Sequence, residues 1–207
     1  MTDKNIKTGT TTIGLTYEGG VIFAADKRAS MGYLIAHKNV DKVIQITKDI
    51  LMTIAGGVAD AQALAKYLKA ESKLYELRND KKITVKALGS LLQTILYSGR
   101  GGYFPYQVQL LLGGGSDGDF SLLSFDSGGS SLSDKYVSTG SGSPFAYGVL
   151  EEGYVEKMNE KDAINLAVKA VRSAIRRDMA SGEGIDVWIV NAKGVTKLPK
   201  VELSKIL

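Results

Sequence analysis

A chain of 207 residues with 44% hydrophobic and 23% charged residues is sized and composed as one globular domain with a sizeable core. Its formal net charge of +4 comes from basic residues spread along the chain rather than clustered, which argues against nucleic acid as a partner. Zero cysteines and a single histidine rule out zinc fingers, Cys-His dyads and multi-histidine metal sites, and no apolar run reaches the roughly 20 residues that span a bilayer.

Residues 1–9 are polar, charged and without period, and read as a flexible or removable leader with no apolar core for a signal peptide. Together with the absence of cysteine this predicts a cytoplasmic protein. Two strand-like runs, Thr11 to Tyr17 and Val21 to Ala25, flank Glu18-Gly19-Gly20, a hairpin signal. Further strands are expected at Tyr33 to Ala36, Lys42 to Thr47 and Ile50 to Ala55, making a β-meander. The lone histidine, His37, falls in Tyr33-Leu34-Ile35-Ala36-His37-Lys38-Asn39 and reads as a half-exposed structural residue at a strand end.

The period then lengthens to about 3.6. No Gly or Pro interrupts Val58 to Asn79, where Leu64, Tyr67, Leu68, Leu74, Tyr75 and Leu77 recur at helical intervals. A second helix starts near Thr84, a plausible N-cap, and carries Leu88, Leu91, Leu92, Ile95 and Leu96 to the Gly99-Arg100-Gly101-Gly102 stop. The scheme repeats with strands Tyr106 to Leu112, Phe120 to Phe125 and Tyr136 to Thr139, then helices Pro144 to Lys157 and Lys161 to Met179, the latter with Ile164, Ala167, Val168, Val171 and Ile175 on one side. Ile185 to Val190 and Val195 to Leu198 close the chain as strands, followed by a short amphipathic tail. Strands, helices, strands and helices in that order predict an α+β fold, a four-layer αββα sandwich of two mostly antiparallel sheets with a helix pair outside each.

Two glycine motifs fail on context. Gly113-Gly114-Gly115-Ser116-Asp117-Gly118 fits the G-x-G-x-x-G pattern, but a dinucleotide loop must open a helix, and Phe120-Ser121-Leu122-Leu123-Ser124-Phe125 alternates like a strand. A hairpin loop over Gly113 to Asp119 is the better reading. The G-x-S-x-G match in the same stretch also needs strand, turn and helix, with a histidine downstream, and the only histidine lies upstream.

The stretch that carries chemistry is Thr8-Gly9-Thr10-Thr11-Thr12-Ile13-Gly14-Leu15. A cut between Gly9 and Thr10 would place a hydroxyl and a free α-amine on one residue, and an amine with a pKa near 8 can take the hydroxyl proton directly or through a water. Glycine before the cut has no Cβ to obstruct Thr10 Oγ. A Thr-rich segment is equally the mark of an ordinary strand. Likewise Asp26 and Lys42 read locally as a surface pair contributing about 0 to 1 kcal/mol, Ser141 as a turn residue, and Asp178-Met179-Ala180-Ser181 as a helix end.

Taken together, six segments change that balance. They are Gly9-Thr10-Thr11-Thr12-Ile13-Gly14, Ala25-Asp26-Lys27-Arg28-Ala29, His37-Lys38-Asn39-Val40-Asp41-Lys42, and Thr53-Ile54-Ala55-Gly56-Gly57-Val58-Ala59-Asp60-Ala61. Ser138-Thr139-Gly140-Ser141-Gly142-Ser143-Pro144, with Tyr147-Gly148-Val149-Leu150-Glu151, and Arg177-Asp178-Met179-Ala180-Ser181-Gly182 complete the set. In order and spacing the chain resembles, from Thr10 onward, the proteasome β-subunit family of N-terminal nucleophile (Ntn) hydrolases, in particular its archaeal type.

The resemblance implies a single Ntn-hydrolase domain over residues 10–207 behind a propeptide of residues 1–9 cleaved between Gly9 and Thr10. It implies a threonine endopeptidase that degrades unfolded polypeptides, with Thr10 as nucleophile. Lys42 would lie beside Thr10 Oγ, Asp26 would hold Lys42 charged, and Ser141, Asp178 and Ser181 would orient the Thr10 amine and hydroxyl. The Gly56 N–H would be the oxyanion donor. Ala29, Val40, Ile54 and Val58 would line an apolar specificity pocket, implying chymotrypsin-like preference. No metal or other cofactor is implied. The implied partners are proteasome α subunits, other β subunits in a seven-membered ring and an ATPase regulator acting through the α ring, with no nucleic acid and no membrane. The alternative is an unprocessed, non-catalytic structural β subunit of the same ring.

Overall fold

Alternation along the strands builds the layers. In the computed structural model, which describes residues 9–103, 105–116 and 118–199, the described chain forms β1 (Thr12–Tyr17), β2 (Gly20–Asp26), β3 (Ala29–Met31), β4 (Leu34–His37), β5 (Val43–Gln45), β6 (Ile50–Gly56), α1 (Val58–Asn79) and α2 (Val85–Gly99). It continues through β7 (Val108–Ser116), β8 (Asp119–Phe125), β9 (Ser131–Ser133), β10 (Tyr136–Thr139), α3 (Ser143–Gly153), α4 (Glu160–Arg177), β11 (Ile185–Asn191) and β12 (Gly194–Lys197). Of the leader read at residues 1–9 only Gly9 is among the described residues, and the tail read after Leu198 leaves them at residue 200.

One five-stranded antiparallel sheet runs β10-β1-β2-β11-β12 and a second runs β5-β6-β7-β8-β9, with β3 and β4 as a separate hairpin. Successive side chains on a strand point to opposite faces. On β2, Val21, Phe23 and Ala25 therefore enter the layer between the sheets, where they meet Leu51, Leu111 and Leu122. Ile22 and Ala24 turn outward against α3 and α4 through Leu150, Ala167 and Val171. Ile50, Met52 and Ile54 on β6 likewise face α1 and α2, packing with Leu64, Leu68, Leu88 and Leu92. The expected αββα sandwich is the observed fold.

Between the sheets the apolar layer gives way, at the start of β1 and the middle of β6, to hydroxyls. Thr139 Oγ1 lies 2.6 Å from Thr12 Oγ1, which donates in turn to Thr53 Oγ1 at 3.1 Å, and Leu111 N donates to Thr53 Oγ1 at 3.2 Å. Thr12 and Thr53 are fully buried, so this chain of hydroxyls satisfies itself while tying one sheet to the other.

Several boundaries differ from the sequence reading. The glycines read as a loop extend β7 to Ser116; Gly114 and Gly115 adopt φ of +139° and +143°, and a Cβ at either would overlap the carbonyl of Asp49 or Asp119. Helix α3 stops at Gly153 rather than Lys157, where Lys157 takes φ of +59°, and Asn159 then caps α4 by accepting from Asp162 N at 2.9 Å. Thr84 caps α2 as expected, accepting from Ala87 N at 3.1 Å. Helix α1 spans the expected residues but buries only Leu64 and Leu68 of its predicted stripe, leaving Tyr67, Leu74, Tyr75 and Leu77 exposed. His37 ends β4 and is exposed.

Candidate active site

Thr10 lies two residues before β1, and Asp26 ends the neighbouring strand β2, so the Thr12–Ala25 register brings them side by side. Lys42 precedes β5, Gly56 ends β6, Ser141 lies between β10 and α3, and Asp178 is the C-cap of α4. Strand and helix ends converge at one edge of the sandwich. The sequence residues Thr10, Asp26, Lys42, Ser141, Asp178 and Ser181 all meet there.

Asp26 is the hub. Its side chain is fully buried, and Oδ1 accepts from Lys42 Nζ at 2.6 Å, Thr11 N at 2.9 Å and Thr10 Oγ1 at 3.2 Å. Its Oδ2 accepts from Gly182 N at 2.9 Å and Arg28 N at 3.1 Å. Lys42 and Thr10 thus meet through a shared carboxylate oxygen. Burial pushes the Lys42 ammonium below its ordinary value, and the Asp26 charge and hydrogen bond oppose that only in part.

Asp178 organises a second network with a definite direction. Ser141 Oγ and Ser181 Oγ both donate to Asp178 Oδ2, at 2.7 and 2.6 Å. Each hydroxyl has one proton. Ser141 Oγ is therefore left to accept from Thr10 N at 3.1 Å, and Ser181 Oγ to accept from Thr11 Oγ1 at 2.7 Å. Ala180 N donates to Asp178 Oδ1 at 3.2 Å and closes the turn.

Beside Thr10 opens a cavity of about 80 Å³. Ala29, Val40, Ile54 and Val58 line it as expected, together with Gly9, Thr10, Lys42 and Gly56. Gly56 takes φ of +96°, and a Cβ there would overlap the Gln107 carbonyl oxygen, so the bend after β6 needs glycine.

Four contributors escaped the sequence reading. Thr11 joins both networks, through its N–H to Asp26 and its hydroxyl to Ser181. Arg28 Nη1 donates to the Met179 carbonyl at 2.8 Å and Nη2 to Glu183 Oε1 at 3.1 Å, clamping the 178–183 turn. Ser30 lines the cavity and accepts from Gly9 N at 3.0 Å. Asp41, at the cavity rim, is tied to β12 by Lys197 Nζ at 3.0 Å, which holds its carboxyl below the usual range. Lys197 also reaches Asp186 Oδ2 at 3.2 Å, which pairs with buried Lys27 at 2.9 Å. Thr11, Arg28 and Asp41 sit inside the segments read for other residues; Ser30 lies just past one of them.

Comparison with known proteins identifies the family. The proteasome subunit family model matches residues 6–190. The chain belongs to the proteasome subunit family. Among archaeal members of that family, the proteasome subunit beta of Methanothermobacter thermautotrophicus is 48% identical over 206 residues, 99% of this chain and 97% of that protein. That of Methanoregula boonei is 54% identical over 184 residues, 88% of this chain and 85% of that protein. That of Archaeoglobus profundus is 48% identical over 200 residues, 96% and 92% of the two chains. Within the proteasome family, then, the likeness is to β subunits and runs through every element that carries a site residue.

The dominance of burial at Lys42 has a measurable sign. Titration of its Nζ, followed through the adjacent carbon in selectively labelled protein, is expected to reach its midpoint below the ordinary lysine value of 10.5; a midpoint at or above it would mean that Asp26 outweighs burial. Because the unfolded chain keeps this proton up to about 10.5 while the folded chain releases it earlier, the Lys42 contribution to stability rises with pH inside that window.

Proposed function

We propose that this chain is an active proteasome β subunit, a threonine endopeptidase whose nucleophile Thr10 is exposed by self-removal of residues 1–9. One observation carries the reading: the Thr10 hydroxyl and the Lys42 ammonium converge on one buried oxygen of Asp26, beside an apolar cavity. An ordinary surface pair has no reason to be dry or to share its carboxylate with a threonine hydroxyl.

Maturation and proteolysis are then the same chemistry. In the precursor, Thr10 Oγ adds to the Gly9 carbonyl carbon, the C–N bond to Thr10 breaks, and the nitrogen gains a proton to become the α-amine. Gly9 is left as an ester on Thr10 Oγ. Water attacks that ester, Gly9 leaves as a carboxylate, and of the two water protons one goes to Oγ and the other to the α-amine. A Cβ at residue 9 would overlap Ala180 Cβ, which supports glycine as the residue that fits before the cut.

With a peptide substrate, the free Thr10 amine takes the Oγ proton as Oγ attacks the carbonyl carbon, and the departing amine receives a proton. Water hydrolyses the resulting ester. The Lys42 charge, kept by Asp26, stabilises developing negative charge on Oγ, and Ser141 receives the Thr10 amine. Gly56 N–H would donate to the oxyanion, where one donor contributes about 3 kcal/mol to the transition state. The steps call for no metal or cofactor.

The names of the relatives support assembly with proteasome α subunits and further β subunits; the proposal is completed by a seven-membered ring, unfolded polypeptides as substrates, an ATPase regulator acting through the α ring, and the cytoplasm as the compartment. Ala29, Val40, Ile54 and Val58 favour Leu, Phe or Tyr before the cut bond, because a charged side chain would lose water without gaining a partner.

The test of the central step is intact mass after co-assembly with an α partner. The expected result is loss of residues 1–9 in the wild type, and retention of the leader in Thr10→Ala with peptidase activity lower by on the order of 10³-fold or more. A wild-type chain that keeps its leader after assembly would favour the unprocessed structural subunit. On a fluorogenic panel, cleavage after Leu, Phe or Tyr is expected to exceed cleavage after Arg or Glu, and the reverse order would overturn the apolar preference.

A further inference from the structure

We propose that Ser30 is a positioning residue for the cleavage that frees Thr10; the inference rests on the proposed self-processing. The Gly9 N–H donates to Ser30 Oγ at 3.0 Å, and both residues are buried. The contact joins the residue before the scissile bond to β3, at the point where the β3–β4 register shifts between Ala29 and Ser30.

The need for such an anchor follows from the residue it holds. Glycine is required at position 9 for space against Ala180, but glycine also has the widest range of backbone conformations, so the carbonyl under attack is the least constrained in the segment. On the far side of the bond the chain is already held. Thr10 N donates to Ser141 Oγ, and Gly142 N donates to the Thr10 carbonyl at 3.2 Å. Ser30 supplies the matching hold on the near side. Fixing N–H groups on both flanks leaves the Gly9 carbonyl between two anchors, and restricting an attacked group in this way accelerates an intramolecular reaction. Neither the Asp26 nor the Asp178 network performs this task, since both act on residues from Thr10 onward.

The experiment follows loss of residues 1–9 by intact mass over time after mixing with an α partner, for the wild type and for Ser30→Ala, Ser30→Thr and Ser30→Cys. Ser30→Ala is expected to process about tenfold more slowly, the scale of one lost hydrogen bond of ordinary strength, and Ser30→Thr, which keeps the hydroxyl, to return most of the rate. Ser30→Cys preserves the size of the side chain while weakening the acceptor, and is expected to fall with Ala even if Ala disturbs assembly. Processing of Ala and Cys variants at the wild-type rate would overturn the inference and leave self-cleavage intact. Equal slowing of all three variants would also overturn it, by assigning Ser30 to packing. A wild-type chain that never loses its leader would overturn the self-processing reading itself.

Discussion

The constraint on which the rest depends is the burial of the Asp26 carboxylate. An ionised carboxylate removed from water is costly by far more than the net stability of a domain unless it is fully hydrogen-bonded. Asp26 meets that requirement with five donors. They come from the residues just before β1, the turn after β2, the loop before β5 and the turn after α4, as far as 156 residues from Asp26 in sequence. Asp26 is satisfied only when all of them have closed, so completion of the fold and assembly of the site are one event.

The two carboxylates divide the work on Thr10. Asp26 takes the hydroxyl and sets the charge beside it; Asp178, through Ser141, takes the nitrogen. The direction of the hydroxyl chain matters. Because Ser141 and Ser181 each spend their proton on Asp178, both oxygens are acceptors on the side facing Thr10 and Thr11. A carboxylate one step removed thereby presents acceptors to a nitrogen without placing a second negative charge against the nucleophile. Arg28 keeps that turn in place from the Asp26 side, with the guanidinium so close that a Cβ on Gly182 would lie 2.5 Å from its carbon.

Much of the architecture was legible because it is written in periods. The switch from alternation to helical spacing at Val58, the Thr84 cap and the apolar stripe of α4 all reflect local physics that acts in the unfolded chain as well. Elements without enough residues to display a period were missed: β3 and β9 are three residues each and exist through their partners. The glycines of β7 read as loop because propensity disfavours them in strands, whereas here they admit close neighbours that a Cβ would exclude. The exposed end of α1 shows the converse, a helical pattern with no sheet beneath it.

The site was legible only by resemblance. Asp26 and Gly182, or Thr10 and Ser141, share no local pattern, and each taken alone reads as a turn or surface residue. The resemblance named the groups that carry chemistry, and six of them, Thr10, Asp26, Lys42, Ser141, Asp178 and Ser181, lie together in the structure. It gave no role to Thr11, Arg28, Ser30 or Asp41, whose contributions are geometric and arise from an N–H, a clamp, a hydroxyl facing Gly9 and a tie to β12. Even Lys42 was placed by its role rather than by its contact, which runs to Thr10 through Asp26.

The most direct measurement is capture of the nucleophile. Wild-type chain and Asp26→Asn, each assembled with an α partner, would be treated with a peptide vinyl sulfone ending in leucine, whose β-carbon forms a stable ether with an attacking hydroxyl while the hydroxyl proton passes to the α-carbon, and digested to locate the adduct by mass spectrometry. The account predicts a single adduct on Thr10 in the wild type and its near disappearance in Asp26→Asn, where the carboxylate that positions Lys42 and the hydroxyl is gone. An adduct on another residue, or equal labelling of Thr10 in both proteins, would contradict it.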